Sequence, residues 1–409
     1  MDGGGVELQL VGGPGDERQG VMQALPPTLL RALTGAVRRR PVGEWSNDGG
    51  VTWVPLAVGA ADVKPDRTAE CRWSATVELL DPPVGATGIN TVATQVRLFE
   101  ELTASRADPY RVPAGRYVVD STKRTLRGRG LSAELLGVED IVRGAALPVA
   151  RTVETDTAEA IAQTLITEAV PWAAVAWRDG VKAGTKIPSF VIDEDRWQGL
   201  SGGADQAGVS TGIAPALGAE VYADARGVFT FAPVPTLADP AVWTLPYGQG
   251  LIEPEAAQSS EGLVNVWVVS GEEAAGEGGS AAAPVGPVYV WDDDPMSLTY
   301  AGPDPIRDPL APQREGLVWV RPRVERYTSP LITSEEQAYT AGRAKLADSL
   351  RVQSTLTFTA YAHPGIEPGD VVRVEVEPGL WETHLIDACP RTLGAASMSC
   401  QTRTSARRI

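Results

Sequence analysis

The chain has 409 residues, which is long enough for two to four domains with separate hydrophobic cores. Its 52 acidic residues outnumber its 36 basic ones, and the net charge of −16 argues against a protein that grips nucleic-acid phosphates, because that needs clustered Lys and Arg. Cysteines occur only at Cys71, Cys389 and Cys400, which excludes a disulfide framework and a CxxC metal site, and we expect them to be buried apolar residues.

The N-terminal part predicts an arm followed by a β-sheet. Residues 1–30 are rich in glycine, show no signal-peptide pattern and predict an N-terminal arm. Residues 31–150 predict a first β-barrel domain, in which Asn47-Asp48-Gly49-Gly50 supplies the positive-φ positions of a hairpin turn. From position 71 to 79, apolar and polar residues alternate strictly, so we expect Trp73 to be buried and Arg72 to face water.

The middle of the chain changes in composition. Residues 151–248 predict a lateral α+β domain, because Asp156 and Glu159 open a pattern of helical period and a strand–turn–strand pattern follows around Asp224. Residues 249–330 predict a β-rich, irregular segment that contains an acidic mobile loop at 271–286. The longest apolar run, 170–177, is too short for a membrane span, so we expect a soluble protein made in a cytoplasm.

Residues 331–409 predict a helix followed by a second β-barrel domain. Thr333 and Glu336 match a capping box at the start of the helix. The helical spacing predicts an inward side formed by Tyr339, Gly342, Leu346 and Leu350. Four alternating runs separated by Pro and Gly turns then predict antiparallel strands, which contain Leu356/Phe358, Val372/Val374/Val376, His384 to Ile386, and Met398/Cys400.

A short repeat links the two predicted barrels. The order apolar pair, Asp, Arg-Thr-Leu, turn, apolar residue and Ser occurs twice, 267 residues apart and without a gap. The repeated positions that we take as structural or assembly residues are Asp120, Arg124, Leu126 and Ser132, and Asp387, Arg391, Leu393 and Ser399. We therefore predict an α+β, mainly β fold, with two tube-like β-barrel domains in one chain and lateral α+β domains inserted between them.

Catalytic motifs are weak in this sequence. Ser201 and Ser210 each lie in a Gly-x-Ser-x-Gly match, and only His363 and His384 could serve as a general base. Such a serine needs a strained turn between a buried strand and a helix, and neither match has that context. A cell-wall serine hydrolase therefore stays an alternative, and we predict no enzyme activity and no cofactor.

Three other clusters allow more than one interpretation. Asp292-Asp293-Asp294 lacks the spacing of a calcium loop and favours a solvated acidic loop over a cation site. The basic cluster at 123–129 fits a nucleic-acid contact, but a solvated hairpin tip or a surface facing an acidic neighbouring subunit suits the overall charge better. The eleven tryptophans raise a carbohydrate-binding attachment protein as a further alternative, although Trp73 and Trp381 fit core strand positions.

The C-terminal block resembles a known family. The segment HPGIEPGDVVRVEV, preceded by a helix and the strand TLTFTAY, resembles the closing module of phage tail-tip hub proteins, an order also seen in the hubs of myophage baseplates and of contractile injection systems. It contains Gly369 and Asp370, which we add to the assembly positions. The segments RWSATVELLD, VPAGRYVVD, ADARGVFTFAPVP and LVNVWVVSGE look like actinobacteriophage tail proteins, so the resemblance covers residues 37–404.

The resemblance implies a structural virion protein at the tail tip, assembled in the cytoplasm of a bacterial host. It implies a homotrimer whose six barrels surround an axial channel and join the sixfold tail tube to threefold tip proteins. The implied partners are the distal tail or tube protein ring above, tip or fibre proteins below, and tape-measure protein or DNA in the lumen. The hub of an extracellular contractile injection system is the alternative within this resemblance.

Overall fold

A computed structural model shows the arrangement of the chain. It describes residues 23, 25–27, 29, 33, 37–83, 88–104, 109–124, 130–202, 210–248, 251–258, 263–271, 285–314, 320–350 and 354–404. Most of the predicted N-terminal arm, most of the acidic segment 271–286, and Leu126 lie outside these residues. In the part of the chain that is described, no helix combines the length and the apolar character that a membrane crossing requires.

The first barrel is one antiparallel sheet with a short helix after its last strand. Its elements are β1 (Val37–Ser46), β2 (Val54–Leu56), β3 (Val58–Pro65), β4 (Trp73–Leu79), β5 (Gln95–Ala104), β6 (Tyr110–Arg124), β7 (Leu131–Gly137) and α1 (Glu139–Gly144). In β4 the odd-numbered residues are buried, as the alternation predicts. Gly49 and Gly50 have φ of 75° and 85° in the turn between β1 and β2, where a side chain would be strained. Arg72, however, is buried and does not face water.

A compact lateral unit follows. Its elements are β8 (Arg151–Val153), β9 (Asp156–Thr157), α2 (Ala158–Ala169), β10 (Val175–Trp177), β11 (Lys186–Ile187), β12 (Phe190–Ile192), α3 (Arg196–Ser201), α4 (Ile213–Ala216), β13 (Ala219–Ala223) and β14 (Phe229–Pro233). The predicted hairpin is confirmed, because β13 and β14 pair antiparallel around a turn with Gly227 at φ 79°. The start of α2 differs by one residue: its N-cap is Thr157, whose hydroxyl accepts from Ala160 N at 3.3 Å.

The remaining elements alternate between the second barrel and the lateral unit. They are β15 (Trp243–Leu245), β16 (Leu251–Gln258), β17 (Val266–Gly271), β18 (Val288–Trp291), α5 (Ala311–Arg314), β19 (Val324–Ser329), α6 (Glu335–Ser349), β20 (Ser354–Tyr361), β21 (Val371–Glu377), β22 (Leu380–Ala388), β23 (Arg391–Thr392) and β24 (Ser397–Thr404). The four C-terminal alternating runs are confirmed as strands β20, β21, β22 and β24.

The second barrel takes in more of the chain than residues 331–409. Its six-stranded sheet has the order β15-β21-β22-β24-β20-β16, so two of its strands precede residue 331. Helix α6 packs on β17 and β18 rather than on this sheet, and its buried residues belong to the core of the lateral unit. The chain therefore leaves the second barrel after β16, builds a three-stranded sheet (β18-β17-β19) with α6, and returns at β20.

The details of α6 correct two expectations. Its N-cap is Ser334, not Thr333, and the Ser334 hydroxyl accepts from Gln337 N at 3.2 Å. Its buried side chains include Ala338, Ala341 and Leu346, whereas Tyr339 is 52% exposed and Leu350 is half-buried. The small residues face β17 and β18 because the helix lies close to the sheet: a Cβ added at Gly342 would come within 2.7 Å of Val290 Cγ2.

Candidate assembly site: two matched hairpins and the polar junction between them

The two copies of the sequence repeat form hairpins with the same register. One hairpin is β6–β7 and the other is β22–β24. The corresponding pairs are Val118–Leu136 with Leu385–Arg403, Val119–Leu135 with Ile386–Thr402, and Ser121–Glu134 with Ala388–Gln401. Both registers slip at the repeated aspartate, which is Asp120 in β6 and Asp387 in β22. An extra residue at the same point of both hairpins is a shared β-bulge, and such bulges bend a strand in a defined way.

The correspondence extends across five strands. In the first sheet β3, β4, β7, β6 and β5 are successive neighbours, and in the second sheet β16, β20, β24, β22 and β21 take the same places. One row of paired residues runs Val63–Ala75–Leu135–Val119 in the first barrel and Ala256–Leu356–Thr402–Ile386 in the second. The two barrels therefore share strand order and pairing register over this unit.

The repeated side chains do not all have equivalent surroundings. Asp120 is exposed, whereas Asp387 is half-buried and its carboxylate pairs with Arg403. Arg124 is exposed at the end of β6, but Arg391 is buried and donates to Pro364 O at 3.3 Å.

The other two pairs of repeated positions are Leu126 with Leu393 and Ser132 with Ser399. Leu393 is buried in the core of the first barrel, and its counterpart Leu126 lies outside the described residues. Ser132 and Ser399 are both half-buried; Ser132 pairs with Lys123, and Ser399 N donates to the equivalent Pro390 O at 3.2 Å.

Gly369 and Asp370 form the turn that leads into β21. Gly369 has φ 97°, which favours glycine, and its N–H donates to Ile386 O at 2.8 Å. Asp370 is buried; its backbone oxygen accepts from Ile386 N at 2.9 Å, and one carboxylate oxygen accepts from Glu367 N at 2.8 Å. In the first barrel, Val119 N donates to Thr94 O in the same way at 3.3 Å. The turn thus makes two backbone hydrogen bonds to Ile386, the residue of β22 that precedes the repeated aspartate.

Arg72 joins the first barrel to both other parts of the protein. Its guanidinium donates to Glu220 Oε1 at 3.2 Å and lies 3.7 Å above the ring of Tyr222, and both of these residues are in β13 of the lateral unit. The same group donates to Pro368 O, in the turn of the second barrel. A buried guanidinium needs such partners, because an uncompensated buried charge is costly. We call the set Arg67, Arg72, Glu139, Glu220 and Glu367 the polar junction.

The carboxylates of the polar junction have different environments. Glu139 Oε1 accepts from Ala223 N at 3.0 Å and from Arg72 N at 3.3 Å, and burial raises its pKa to about 7. Glu367 accepts from Gln23 Nε2 at 2.8 Å, and burial raises its pKa to about 8 although the charge of Arg72 opposes this. Glu220 pairs with Arg67 at 2.6 Å as well as with Arg72. The junction therefore mixes ion pairs with carboxyl groups that hold their protons near neutral pH.

The hydrolase candidates are not brought together. Ser201, at the end of α3, donates to Trp197 O at 2.9 Å, and Ser210 is buried where its N–H donates to Thr328 O. Both histidines lie in the second barrel, where His384 hydrogen-bonds Glu382 at 2.9 Å and Thr402 at 3.1 Å. The described residues contain no Ser–His pair with the geometry of a nucleophile and its base.

Two other candidate sites also differ from expectation. Asp292 is buried and accepts from the Thr299 hydroxyl, so it is not part of a solvated acidic loop; Asp293 and Asp294 are exposed. Trp381 is half-buried beneath Arg373 rather than in a core. Every tryptophan in the described ranges is buried or half-buried, so no tryptophan there is fully exposed for a sugar ring to stack on.

Solved structures share this fold at low sequence identity. A tail protein from Neisseria meningitidis MC58 matches with a TM-score of 0.54 and 14% identity, over 89% of this chain and 96% of that chain. The chain has the fold of phage tail proteins. The 43 kDa tail protein of prophage MuSo2 from Shewanella oneidensis matches with a TM-score of 0.51 and 12% identity, over 89% of this chain and 98% of that chain. A prophage tail protein from Listeria monocytogenes EGD-e matches with a TM-score of 0.50 and 11% identity, over 89% of this chain and 95% of that chain. No family model and no curated protein sequence matches the chain.

The polar junction was not predicted from the sequence. Arg72 precedes a strand in which polar residues alternate with apolar ones, and that pattern predicts an exposed side chain. Its partners lie at Glu220 and Pro368, far along the chain. The only local signal is that Arg72 stands between Cys71 and Trp73, both buried.

Proposed function

We propose that the protein is a homotrimeric hub at the tip of a phage tail, a structural component of the virion. The observation that carries this proposal is the shared register of β6–β7 and β22–β24, including the bulges at Asp120 and Asp387. Two barrels of the same build in one chain let three copies present six similar units around an axis. A ring of that kind joins a sixfold tube to threefold tip proteins.

The proposed hub is a rigid body with three parts. The first barrel, the lateral unit and the second barrel meet at Arg72, which supports a fixed orientation of one barrel relative to the other. In this hub, the second barrel consists of β15, β16 and β20–β24, and α6 belongs to the lateral unit. A distal tail or tube ring is the partner above, and tip or fibre proteins are the partners below.

One face of the matched strands suits the wall of an axial channel. Its exposed and half-exposed positions on β4, β7 and β20 carry mainly hydroxyl and carboxylate groups, at Ser74, Thr76, Glu78, Ser132, Glu134, Thr355, Thr357 and Thr359. No Lys or Arg occurs within these three strands. Lys64 on β3 lies opposite Ser74, and Lys123 on β6 lies opposite Ser132, so the neighbouring strands add some cations to this face. DNA carries one negative charge per ~1.7 Å of axis, and a wall in which hydroxyl and carboxylate groups outnumber cations holds it only weakly. Tape-measure protein and then DNA would occupy this lumen.

The first test is the oligomeric state of the purified protein. We expect light scattering after size exclusion to give about 130 kDa, three times the 43.2 kDa of one chain. Electron-microscopy class averages of the same sample should show a ring of six similar units with a central hole. A monomer, or a ring with another number of subunits, would remove the proposal.

A further inference from the structure

A cavity of about 440 Å³ lies where the three parts of the protein meet. Arg67 lines it from the first barrel, in the loop between β3 and β4, and Arg403 lines it from β24 of the second barrel. Glu220 in β13 and Lys345 in α6 line it from the lateral unit. A ligand in this cavity therefore contacts both barrels and the lateral unit at once.

Both arginines at the cavity are buried and have hydrogen-bond donors left over. The side chain of Arg67 is 4% exposed; its Nε donates to Glu220 Oε2 at 2.6 Å, and its Nη1 has no acceptor among the described residues. Arg403 is also buried and pairs with Asp387, and its Nε likewise finds no acceptor in the part of the chain that the structure describes. Buried N–H groups without an acceptor are rare in folded proteins. Each guanidinium group can therefore donate at least one further hydrogen bond.

Lys345 adds a third cation to the wall of the cavity. Its Nζ lies 4.7 Å from the ring centroid of Tyr327, and it forms no ion pair with any described residue. Burial lowers the pKa of Lys345, although neighbouring carboxylates oppose this. Burial also lowers the pKa of Arg403 to about 9, and the charge of Arg67 acts in the same direction. The positive charge at this cavity is thus incompletely compensated.

The two carboxylates that line the cavity do not supply the missing acceptors. Glu220 accepts from Arg67 at 2.6 Å and from Arg72 at 3.2 Å, so both of its oxygens are engaged. The Asp348 carboxylate lies 3.5 Å from Arg67 Nη2 but is 53% exposed, so solvent screens its charge. Water can accept from the cationic groups but does not balance their charge, whereas an anion does both.

We propose that this cavity binds one phosphate-type oxyanion per chain. A guanidinium group donates N–H groups in a plane to the oxygens of a phosphate, and an ammonium group binds it as a point charge. Arg67, Arg403 and Lys345 come from three different elements, which suits the tetrahedral oxygens of a phosphate better than the two coplanar oxygens of a carboxylate. The bound anion links the two barrels to the lateral unit. Binding takes place within one chain and does not depend on the proposed trimer.

Isothermal titration calorimetry with inorganic phosphate tests the site. The full chain is purified in buffer without phosphate or sulfate, and sodium chloride holds the ionic strength constant. We expect saturable binding of one phosphate per chain. The melting temperature should rise with the phosphate concentration, because a ligand that binds only the folded state stabilises it. Sodium chloride at the same ionic strength should not give this rise, and sodium acetate should bind more weakly than phosphate.

Two variants and a matched control locate the binding. Lys345→Met should weaken phosphate binding at least about tenfold, the factor that corresponds to one lost hydrogen bond to a charged group. Because Lys345 has no ion pair to lose among the described residues, this variant should keep its fold. Arg403→Met should abolish binding, and circular dichroism checks that it is folded. The control is Lys182→Met: Lys182 also contacts α6, through Glu336 at 2.7 Å, but lies outside the cavity and should leave phosphate binding unchanged.

The outcomes decide the site separately from the proposed hub. Saturable phosphate binding that Lys345→Met weakens and Lys182→Met does not supports the site. The absence of saturable binding, or equal affinities in the unmodified protein, Lys345→Met and Arg403→Met, overturns it. Equal affinity for acetate would overturn the preference for a phosphate-type anion. Light scattering measures the oligomeric state independently, so the anion site and the trimeric hub can each fail without the other.

Discussion

At the scale of single residues, the buried carboxyl groups of the polar junction are the most informative. Glu139 and Glu367 are almost fully buried, and burial raises their pKa values to about 7 and about 8. In the unfolded chain the pKa of a glutamate is about 4.3. Between these values the two carboxyl groups hold more protons in the folded protein than in the unfolded chain, so their contribution to the free energy of unfolding decreases as the pH rises from about 4.5 to about 8.

We expect Glu367→Gln to weaken this pH dependence. A glutamine keeps the shape and an acceptor for Gln23, and it has no proton to lose as the pH rises. Between pH 5 and pH 8.5 the melting temperature of this variant should therefore fall less, or rise more, than that of the unmodified protein. The pH dependence that remains includes Glu139, Asp292 and Asp348, whose pKa values burial also raises, and His363, whose lowered pKa acts in the opposite direction. Glu78→Gln, on the exposed face of β4, is the matched control and should leave the profile unchanged. An unaltered profile for Glu367→Gln would contradict this assignment.

At the scale of elements, short segments connect parts of the chain that are distant in sequence. Strand β23 has only two residues, yet it covers the edge of β3 and places Leu393 in the core of the first barrel. The added strand β23 also protects the edge of β3, because an uncovered strand edge can pair with strands of other chains.

Leu393→Ala should measure the contribution of this segment. The side chain is 3% exposed, and a buried Leu→Ala change costs about 2–5 kcal/mol through lost burial and the cavity left behind. Urea unfolding should show a loss in that range. Leu80→Ala, at a leucine that is 55% exposed beside β4, should change the free energy of unfolding by less than about 1 kcal/mol. Equal effects of the two changes would mean that Leu393 does not hold the barrels together.

At the scale of the whole molecule, the polar junction sets the relation between the two barrels. The hydrophobic cores of the first barrel and of the second barrel are separate clusters. Arg72 connects them through Glu220 and the Pro368 carbonyl, and Arg67 adds a second ion pair to Glu220. The proposed ring of six units would need this relation to be constant, since a small error in each subunit would prevent closure.

Arg72→Met should therefore destabilise the protein more than the loss of an exposed ion pair does. Removing one partner of a buried ion pair costs about 3–5 kcal/mol, because the other charge stays buried. Arg111→Met is the control: its side chain is 48% exposed and pairs with Glu44 and Glu101, and its loss should cost less than about 1 kcal/mol. Urea unfolding measures both. Similar losses for the two variants would show that the junction is not a specific link.

Much of the fold could be predicted from local pattern. The alternation in β4, the hairpin β13–β14, the apolar face of α2 and the four C-terminal strands all follow from residue spacing and turn residues. The repeated Asp and Arg-Thr-Leu also marked two segments that fold into hairpins of one register. These features were accessible because period-two and helical patterns are properties of neighbouring residues.

Only the tertiary structure decided which distant segments meet. The N-caps of α2 and α6 lie one residue after the predicted positions, and α6 packs on the lateral unit. Strands β15 and β16 belong to the second sheet. Arg72 is buried, whereas the alternation predicted an exposed side chain. The sequence by itself determined that this chain forms two similar β-units with α+β material between them. Their connection through β23 and Arg72 depends on backbone hydrogen bonds and ion pairs between distant residues, and such contacts leave no periodic signal in the sequence.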